Sequence, residues 1–235
     1  MNPRAILFDL DGTLTDPRDG ITRCIEHALR CLEATPPSQA TMHSWIGPPL
    51  QESFSRFFDG DSERADLAVT RYRERFDEHG WRENRLIPLM ADIVQSLSQQ
   101  GIRLYVATSK PRVFAQRIVE HFGIAPWFHG IYGSELDGTH AHKADLIRHI
   151  LQTENLVPDE VAMVGDRRHD VEGARKVGVV CVGVLWGFGC RDELLRAGAG
   201  RIVAHPGQLL ETFSSTRNPP PHALENSRTR IASIL

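Results

Sequence analysis

From about residue 86 onward, short runs of apolar and β-branched residues alternate with longer segments of helical periodicity. An N-terminal apolar run, Ala5 to Phe8, continues the strand pattern. The other candidate strands are Ile102 to Ala107, Gly130 to Tyr132, Val161 to Val164, Val179 to Val184 and Arg201 to Val203. The helices predicted between them are roughly Pro88 to Gln99, Pro111 to Phe122, His142 to Thr153 and Asp170 to Val177. This alternation predicts an α/β fold with a Rossmann-like, doubly wound parallel sheet.

Residues 17 to 85 break this rhythm with helical patterns alone. One apolar stripe at helical spacing begins at Ile21 and Cys24, and a second begins at Ala65 and Val69. Asp16 is predicted to cap the first helix. We therefore expect an all-helical domain at 17–85, inserted into a core formed by 1–16 and 86–213. The tail, 214–235, is rich in Ser, Asn, Pro and Arg, and we expect it to be poorly ordered.

The composition is that of ordinary globular material, with 235 residues, 41% hydrophobic residues and 24% charged residues. A formal net charge of −3 gives no reason to expect attraction to nucleic acid polymers or to anionic membranes. No apolar stretch approaches the length of a membrane span, and the four cysteines show no metal-type spacing. We expect a cytoplasmic protein, a monomer or homodimer, whose partner is a small molecule.

Two carboxylates, Asp9 and Asp11, stand where the first predicted strand ends, and Gly12 then lets the backbone turn sharply. Acidic groups this close repel each other unless a metal ion or a shared proton holds them. Mg²⁺ suits a site of few carboxylates that also receives a substrate phosphate. The alternative is a plain turn, because Asp-Gly is a common turn pair.

Three further segments supply polar residues at or near predicted strand ends: Thr108 with Ser109, Lys143, and Asp166 with Asp170. In an open parallel sheet, ligands bind at the carboxyl ends of the strands, so these side chains can converge with Asp9. Each segment has a plainer interpretation. Thr108 or Ser109 could cap a helix. Lys143 could be a solvated surface residue, and Asp170 a charge at a helix N-terminus.

Together the four segments resemble the haloacid dehalogenase superfamily of phosphatases. The superfamily order is Asp-x-Asp-x-Thr, then Thr or Ser, then Lys, then Gly-Asp-x₃-Asp, and the likeness spans residues 5 to about 205. The resemblance implies that the helical insertion is a type 1 cap. Within it, Trp45 to Leu50 is similar to the branch of phosphoglycolate phosphatases and related 5′-nucleotidases, as is Tyr132 to Asp137 in the core.

The resemblance also implies a mechanism. Asp9 would attack phosphorus and form an aspartyl-phosphate, and Asp11 would protonate the leaving alcohol and then activate water. Asp9, Asp166 and the backbone carbonyl of Asp11 would bind Mg²⁺, with Asp170 as a direct or indirect ligand. Thr108 and Lys143 would hold the phosphoryl oxygens.

Within the superfamily, dehalogenases lack an acid/base residue equivalent to Asp11, so phosphoryl chemistry is favoured. A sugar-phosphate mutase ranks lower because its fourth motif is usually acidic-Asp-Ser. A catalytically silent binding protein is the alternative from another class.

The substrate is expected to be a small phosphorylated metabolite that contacts Ser109 in the core and Gly47 in the cap. Phosphoglycolate is the first expectation, with Arg23 as the partner of its carboxylate. A nucleoside monophosphate is the alternative, with Trp45 or Phe54 as a stacking surface.

Overall fold

The computed structural model describes residues 1–213, and the tail predicted to be poorly ordered lies outside them. Six strands form one parallel sheet: β1 (Ala5–Phe8), β4 (Arg103–Pro111), β5 (Gly130–Ser134), β6 (Val161–Gly165), β7 (Val180–Val184) and β8 (Arg201–Val203). Their order across the sheet is β5-β4-β1-β6-β7-β8. A separate antiparallel pair consists of β2 (Thr15–Asp16) and β3 (Arg85–Leu86). The α/β, doubly wound prediction is confirmed.

Helices cover both faces of the sheet. The core helices are α5 (Met90–Gln99), α6 (Arg112–His121), α7 (Lys143–Thr153), α8 (Arg168–Lys176), α9 (Arg191–Ala197) and α10 (Gln208–Phe213). Four of them lie within two residues of the predicted bounds. Helices α9 and α10 were not predicted, because segments of seven and six residues are too short to show a clear helical period. Among residues 1–213, no helix has the length and apolarity needed to cross a bilayer.

The order of the strands reverses at β1, which pairs with β4 on one side and with β6 on the other. Phe8 stands opposite Val106 in β4 and Val164 in β6, so the three strands end at the same edge. Side chains of β1 alternate between two buried apolar clusters, with Leu7 in one and Phe8 in the other. This edge is the switch point at which an open parallel sheet binds ligands.

The helical insertion, residues 17–85, contains α1 (Arg18–Cys31), α2 (Gln39–Ser44), α3 (Leu50–Phe57) and α4 (Ser62–Arg75), followed by a π-helical turn (Phe76–Gly80). The two chain segments that join it to the core are the ones paired as β2 and β3. Both predicted stripes point inward, and Ile21, Cys24, Ala65 and Val69 are buried.

The start of α1 differs slightly from the prediction. Pro17, and not Asp16, is the N-cap residue, but the Asp16 carboxylate still accepts a hydrogen bond from the backbone N–H of Arg18, at 3.1 Å. The N-cap residue therefore lies one position further along the chain than expected, while the side-chain hydrogen bond still comes from Asp16.

Candidate active site

Asp9 lies directly after β1, at the switch point of the sheet, and its backbone N–H donates to the carbonyl of Val164 at 2.9 Å. That bond continues the β1–β6 ladder by one residue and fixes where the side chain begins. The residue is 4% exposed, and its Oδ1 accepts a hydrogen bond from Lys143 Nζ at 2.8 Å. Burial raises the pKa of the Asp9 carboxyl above its usual value, and the neighbouring Lys143 opposes that rise.

Lys143 is the first residue of α7, and its ammonium group is buried among acceptors. Nζ lies 2.8 Å from Asp9 Oδ1, 2.8 Å from Asp170 Oδ1 and 2.8 Å from the carbonyl oxygen of Ala107. An ammonium group has three N–H donors, so these partners use all of them. Burial lowers the pKa of Lys143, but the adjacent Asp170 and Asp9 carboxylates outweigh it and leave the pKa raised. The solvated-residue interpretation of Lys143 is wrong.

Asp166 follows β6 and is fully buried. Its Oδ2 accepts a hydrogen bond from the backbone N–H of Phe188 at 2.6 Å, whereas its Oδ1 has no partner among the described residues. A Cβ added at Gly187 would lie 2.2 Å from Oδ2, and one at Gly12 would lie 2.4 Å from it. Two glycines are therefore needed for the backbone to pass this close to the carboxylate.

Carboxylate oxygens of Asp9, Asp166 and Asp170 lie within 4.8 Å of one another, and all three residues are buried. Burial raises the pKa of Asp166 well above its usual value, with Asp170 and Asp9 adding to the effect. Buried carboxylates at this spacing need a cation or a proton, and the unpartnered Asp166 Oδ1 offers a free oxygen. The donor set fits a hard divalent cation such as Mg²⁺.

Asp11 directly precedes Gly12 and forms a buried ion pair with Lys110, 2.7 Å from Oδ2 to Nζ. Its Oδ1 is buried and has no partner among the described residues. Burial raises the pKa of the Asp11 carboxyl, and Lys110 partly offsets that rise. The Lys110 ammonium also lies 4.6 Å from the centre of the Phe76 ring, which belongs to the insertion.

Thr108 and Ser109 lie in the last part of β4, which extends past the predicted end at Ala107 to Pro111 with a shift in register against β5. Thr108 is 2% exposed, and its hydroxyl oxygen accepts a hydrogen bond from the backbone N–H of Lys110 at 3.2 Å. Neither hydroxyl caps α6, whose N-cap residue is Pro111 and has no capping side-chain bond. The helix-cap interpretation is therefore wrong.

A cavity of about 510 Å³ opens between this edge of the sheet and the insertion. Asp9, Asp11, Thr108 and Ser109 line it on the core side. The insertion contributes Gly47, as expected, in a turn with φ of +108°. The rest of the insertion wall is largely apolar and aromatic, with Ile21, Trp45, Leu50, Val69, Tyr72 and Phe76.

Arg23 does not reach this cavity. Its guanidinium binds Glu83 at 2.8 Å, and its side chain is 58% exposed. The expectation that Arg23 receives a substrate carboxylate is wrong, because the stripe that buries Ile21 and Cys24 turns Arg23 to another face of α1. Phe54, the other stacking candidate, is fully buried against Trp45.

Two residues of the site were not predicted. Lys110 is two positions after Thr108 in an extended strand, so the two side chains share a face, and this periodicity could have identified it. Arg167, next to Asp166, donates to the backbone carbonyl of Ile46 in the insertion. That contact joins residues 121 positions apart in sequence, and no local pattern indicates it.

The sequence matches the family model described as haloacid dehalogenase-like hydrolase over residues 6–184. That range runs from β1 through β7 and includes the whole helical insertion. It therefore contains each of the buried carboxylates and lysines described above.

Curated relatives have different names. The chain is 51% identical over 189 residues to a 5′-nucleotidase of Pseudomonas aeruginosa, and the aligned region covers 80% of this chain and 86% of that protein. It is 37% identical to the tyrosine-protein kinase PtkA of Mycobacterium tuberculosis, over 89% of this chain and 71% of that protein. It is 28% identical to a phosphoglycolate phosphatase of Yersinia pseudotuberculosis, over 88% of this chain and 91% of that protein. Among solved structures, a predicted phosphatase from Clostridium acetobutylicum superposes with a TM-score of 0.87 at 39% identity, covering 90% of this chain and 98% of that one.

Proposed function

The chain belongs to the haloacid dehalogenase-like hydrolase family and is a phosphatase of that family, and we propose that it hydrolyses phosphomonoesters through a phosphate ester of Asp9. The observation that carries the proposal is the buried group of Asp9, Asp11, Asp166 and Asp170 with Lys110 and Lys143 at the switch point. Residues 17–85 are proposed as its type 1 cap.

Mg²⁺ is the proposed cofactor, held by Asp9 and Asp166, with Asp170 beside them and the Asp11 backbone carbonyl as a further oxygen ligand. When bound, it would neutralise charge on the phosphoryl oxygens. Four carboxylates face two ammonium groups, which leaves two negative charges, and one divalent cation balances them. The unpartnered oxygen of Asp166 supports the same assignment.

In the first proposed step, a carboxylate oxygen of Asp9 attacks phosphorus and the bond from phosphorus to the leaving oxygen breaks. Lys143 holds Asp9 through Oδ1 at 2.8 Å, which keeps the carboxylate ionised and oriented. Since all three of its donors are used within the protein, we assign Lys143 to positioning Asp9 and offsetting carboxylate charge. We therefore assign contact with the phosphoryl group to Thr108 and Ser109, which line the cavity.

Asp11 donates a proton to the leaving oxygen in that step. Its Oδ2 is held by Lys110, so the unpartnered Oδ1 is the oxygen that carries the proton. Burial raises its pKa, which suits a proton donor. In the second step Asp11 removes a proton from water, the water oxygen bonds to phosphorus, and the bond from phosphorus to Asp9 breaks to release phosphate.

We further propose nucleoside 5′-monophosphates as the substrate class. The cavity of about 510 Å³ has the size of a site for a ligand larger than glycolate. Its lining also has three carboxylates, on Asp66, Glu135 and Asp137, and the guanidinium of Arg73 is the cation that the insertion contributes. These charges favour a neutral leaving group such as a nucleoside over one with its own carboxylate. The 51% identity to a protein named 5′-nucleotidase supports the same choice.

Phosphoglycolate, the first expectation, is kept as the second candidate because relatives named phosphoglycolate phosphatase align over most of the chain at lower identity. Its carboxylate would need Arg73, since Arg23 is bound to Glu83 outside the cavity. The four cysteines are free, in keeping with the proposed cytoplasmic location. A monomer or homodimer stays a prediction.

The test is phosphate release from a panel of AMP, other nucleoside 5′-monophosphates, 2-phosphoglycolate and p-nitrophenyl phosphate. Activity should require Mg²⁺, disappear with EDTA and be highest in kcat/KM for a nucleotide. A higher value for 2-phosphoglycolate would select the second candidate. Failure to release phosphate from any ester, with ligand binding retained, would select the silent binding protein, and phosphoryl migration within a sugar phosphate would select the mutase.

A further inference from the structure

Arg167 connects the loop after β6 to the helical insertion. Its Nη1 donates a hydrogen bond to the carbonyl oxygen of Ile46 at 2.5 Å. Ile46 directly precedes the turn formed by Gly47, Pro48 and Pro49, which lines the cavity. The Arg167 side chain is only 12% exposed. A buried guanidinium on a backbone carbonyl is a charge-assisted bond, stronger than one between neutral groups.

Core contacts fix the direction of this guanidinium. Its Nε binds Glu193 Oε1 in α9 at 3.0 Å, and the same oxygen accepts the backbone N–H of Arg168 at 2.8 Å. The backbone N–H of Arg167 donates to Asp170 Oδ2 at 3.1 Å. One residue therefore contacts an aspartate of the buried carboxylate group, an acidic residue of α9 and the insertion.

The Gly47 turn is shaped to receive this side chain. A Cβ added at Gly47 would lie 3.1 Å from Arg167 Cγ, closer than packed carbon atoms normally lie, and φ of +108° disfavours any larger residue. Pro48 and Pro49 follow and restrict the backbone of the turn. The turn thus packs along the aliphatic part of Arg167 while its guanidinium binds the preceding carbonyl.

We propose that Arg167 is the latch that holds the Gly47 turn against the core, a positioning residue that ties closure of the insertion to the loop bearing Asp166 and Asp170. With the latch formed, the turn lies over the cavity and bounds the leaving group. With the latch broken, Glu193 keeps the guanidinium oriented for the next closure. The catalytic consequence rests on the proposed phosphatase function, but the latch itself does not.

Amide hydrogen exchange tests the latch without reference to turnover. In Arg167→Met, exchange in peptides covering residues 42–52 should rise about tenfold or more, the loss expected for a charge-assisted bond, while peptides from β1 and β6 stay unchanged. Arg167→Lys should behave in the same way, because an ammonium lacks the fork that reaches Glu193 and Ile46 together. Arg167→Lys also provides the test if Arg167→Met fails to fold. Arg168→Met is the matched control, since its side chain is 55% exposed and lies 3.8 Å from Glu172 in α8.

Kinetics add a second readout. KM for the preferred substrate should rise about tenfold in Arg167→Met, and Glu193→Gln should add little to it in the double variant, because both changes disable the same guanidinium. Unchanged exchange in residues 42–52 would overturn the latch whatever happens to activity. A uniform loss of kcat with exchange unchanged would show that Arg167 acts on the loop of Asp166 and Asp170 alone. Wild-type protein that releases no phosphate would refute the proposed function, while the exchange result would still decide the latch.

Discussion

Replacing Lys143 with methionine tests how the buried charges of the site are balanced. The substitution keeps the length of the side chain but removes an ammonium that bonds to Asp9, Asp170 and the Ala107 carbonyl, each at 2.8 Å. Breaking a buried ion pair by removing one partner costs about 3–5 kcal/mol, because the remaining charge stays buried and unpaired. At about 2–4 °C per kcal/mol for a chain of this size, the melting temperature should fall by about 6–20 °C.

The loss of stability should also depend on pH. Burial raises the pKa of Asp9 in the folded protein, and Lys143 opposes the rise, so removing Lys143 raises that pKa further. A carboxyl whose pKa is higher in the folded than in the unfolded chain binds a proton on folding. Stability therefore increases as the pH falls through the folded-state pKa. The stability deficit of the variant should be largest near neutral pH and shrink as the pH is lowered.

Thermal unfolding of metal-free protein between about pH 8 and pH 5 measures both effects. Lys176→Met is the matched control, because Lys176 lies exposed in the last turn of α8, where substitutions usually change stability by less than about 0.5 kcal/mol. The charge-balance reasoning fails if Lys143→Met melts with the control, or if its deficit stays constant over this range.

Three further outcomes are expected. In Asp11→Asn, kcat/KM for an alkyl ester such as a nucleotide should fall by about 10² to 10⁴, the usual value of a general acid. The loss in kcat/KM should be much smaller for p-nitrophenyl phosphate, whose leaving group needs no proton, because kcat/KM reports formation of the phosphate ester and not its later hydrolysis, in which Asp11 also acts. Equal losses on both esters would contradict the role of Asp11. In Lys110→Met, the alkaline limb of the pH profile of kcat/KM should move to higher pH, because Lys110 lowers the pKa of Asp11 and its removal lets that pKa rise. A limb that does not move, with a normal profile for the Lys176→Met control, would count against the pairing. In Arg23→Ala, kcat/KM should stay within about twofold for nucleotides and for 2-phosphoglycolate, since Arg23 binds Glu83 outside the cavity and surface changes are usually small; a selective loss on 2-phosphoglycolate would restore it as a substrate ligand.

The elements of the sheet could be predicted because their patterns are local. Short apolar runs identified β1, β6 and β7. Three glycines with positive φ end helices as expected, at Gly101, Gly123 and Gly178. The short α9 was missed because its seven residues carry too few apolar positions for a periodic signal. The pair formed by β2 and β3 was missed because two-residue strands have no detectable alternation.

The site residues that follow directly after strands could be predicted from the sequence. Asp9 and Asp166 follow neighbouring parallel strands, so the topology alone brings them together. What the sequence could not indicate is which partner each group takes. Lys110 pairs with Asp11 beside the Phe76 ring, a contact that depends on how the insertion packs on the core. Arg23 binds Glu83 within the insertion, 60 positions further along the chain, and no local pattern indicates that pairing.

The phosphate ester of Asp9 is the central claim, and trapping it is the most direct measurement. Wild-type protein is mixed with Mg²⁺ and a nucleoside monophosphate, quenched during turnover and treated with borohydride, which reduces an acyl phosphate to an alcohol. Mass spectrometry of the peptide containing Asp9 should then show homoserine at that position, and neither this product nor phosphate release should be found for Asp9→Asn. Phosphate release by the wild type with Asp9 unmodified, together with an active Asp9→Asn variant, would contradict the mechanism.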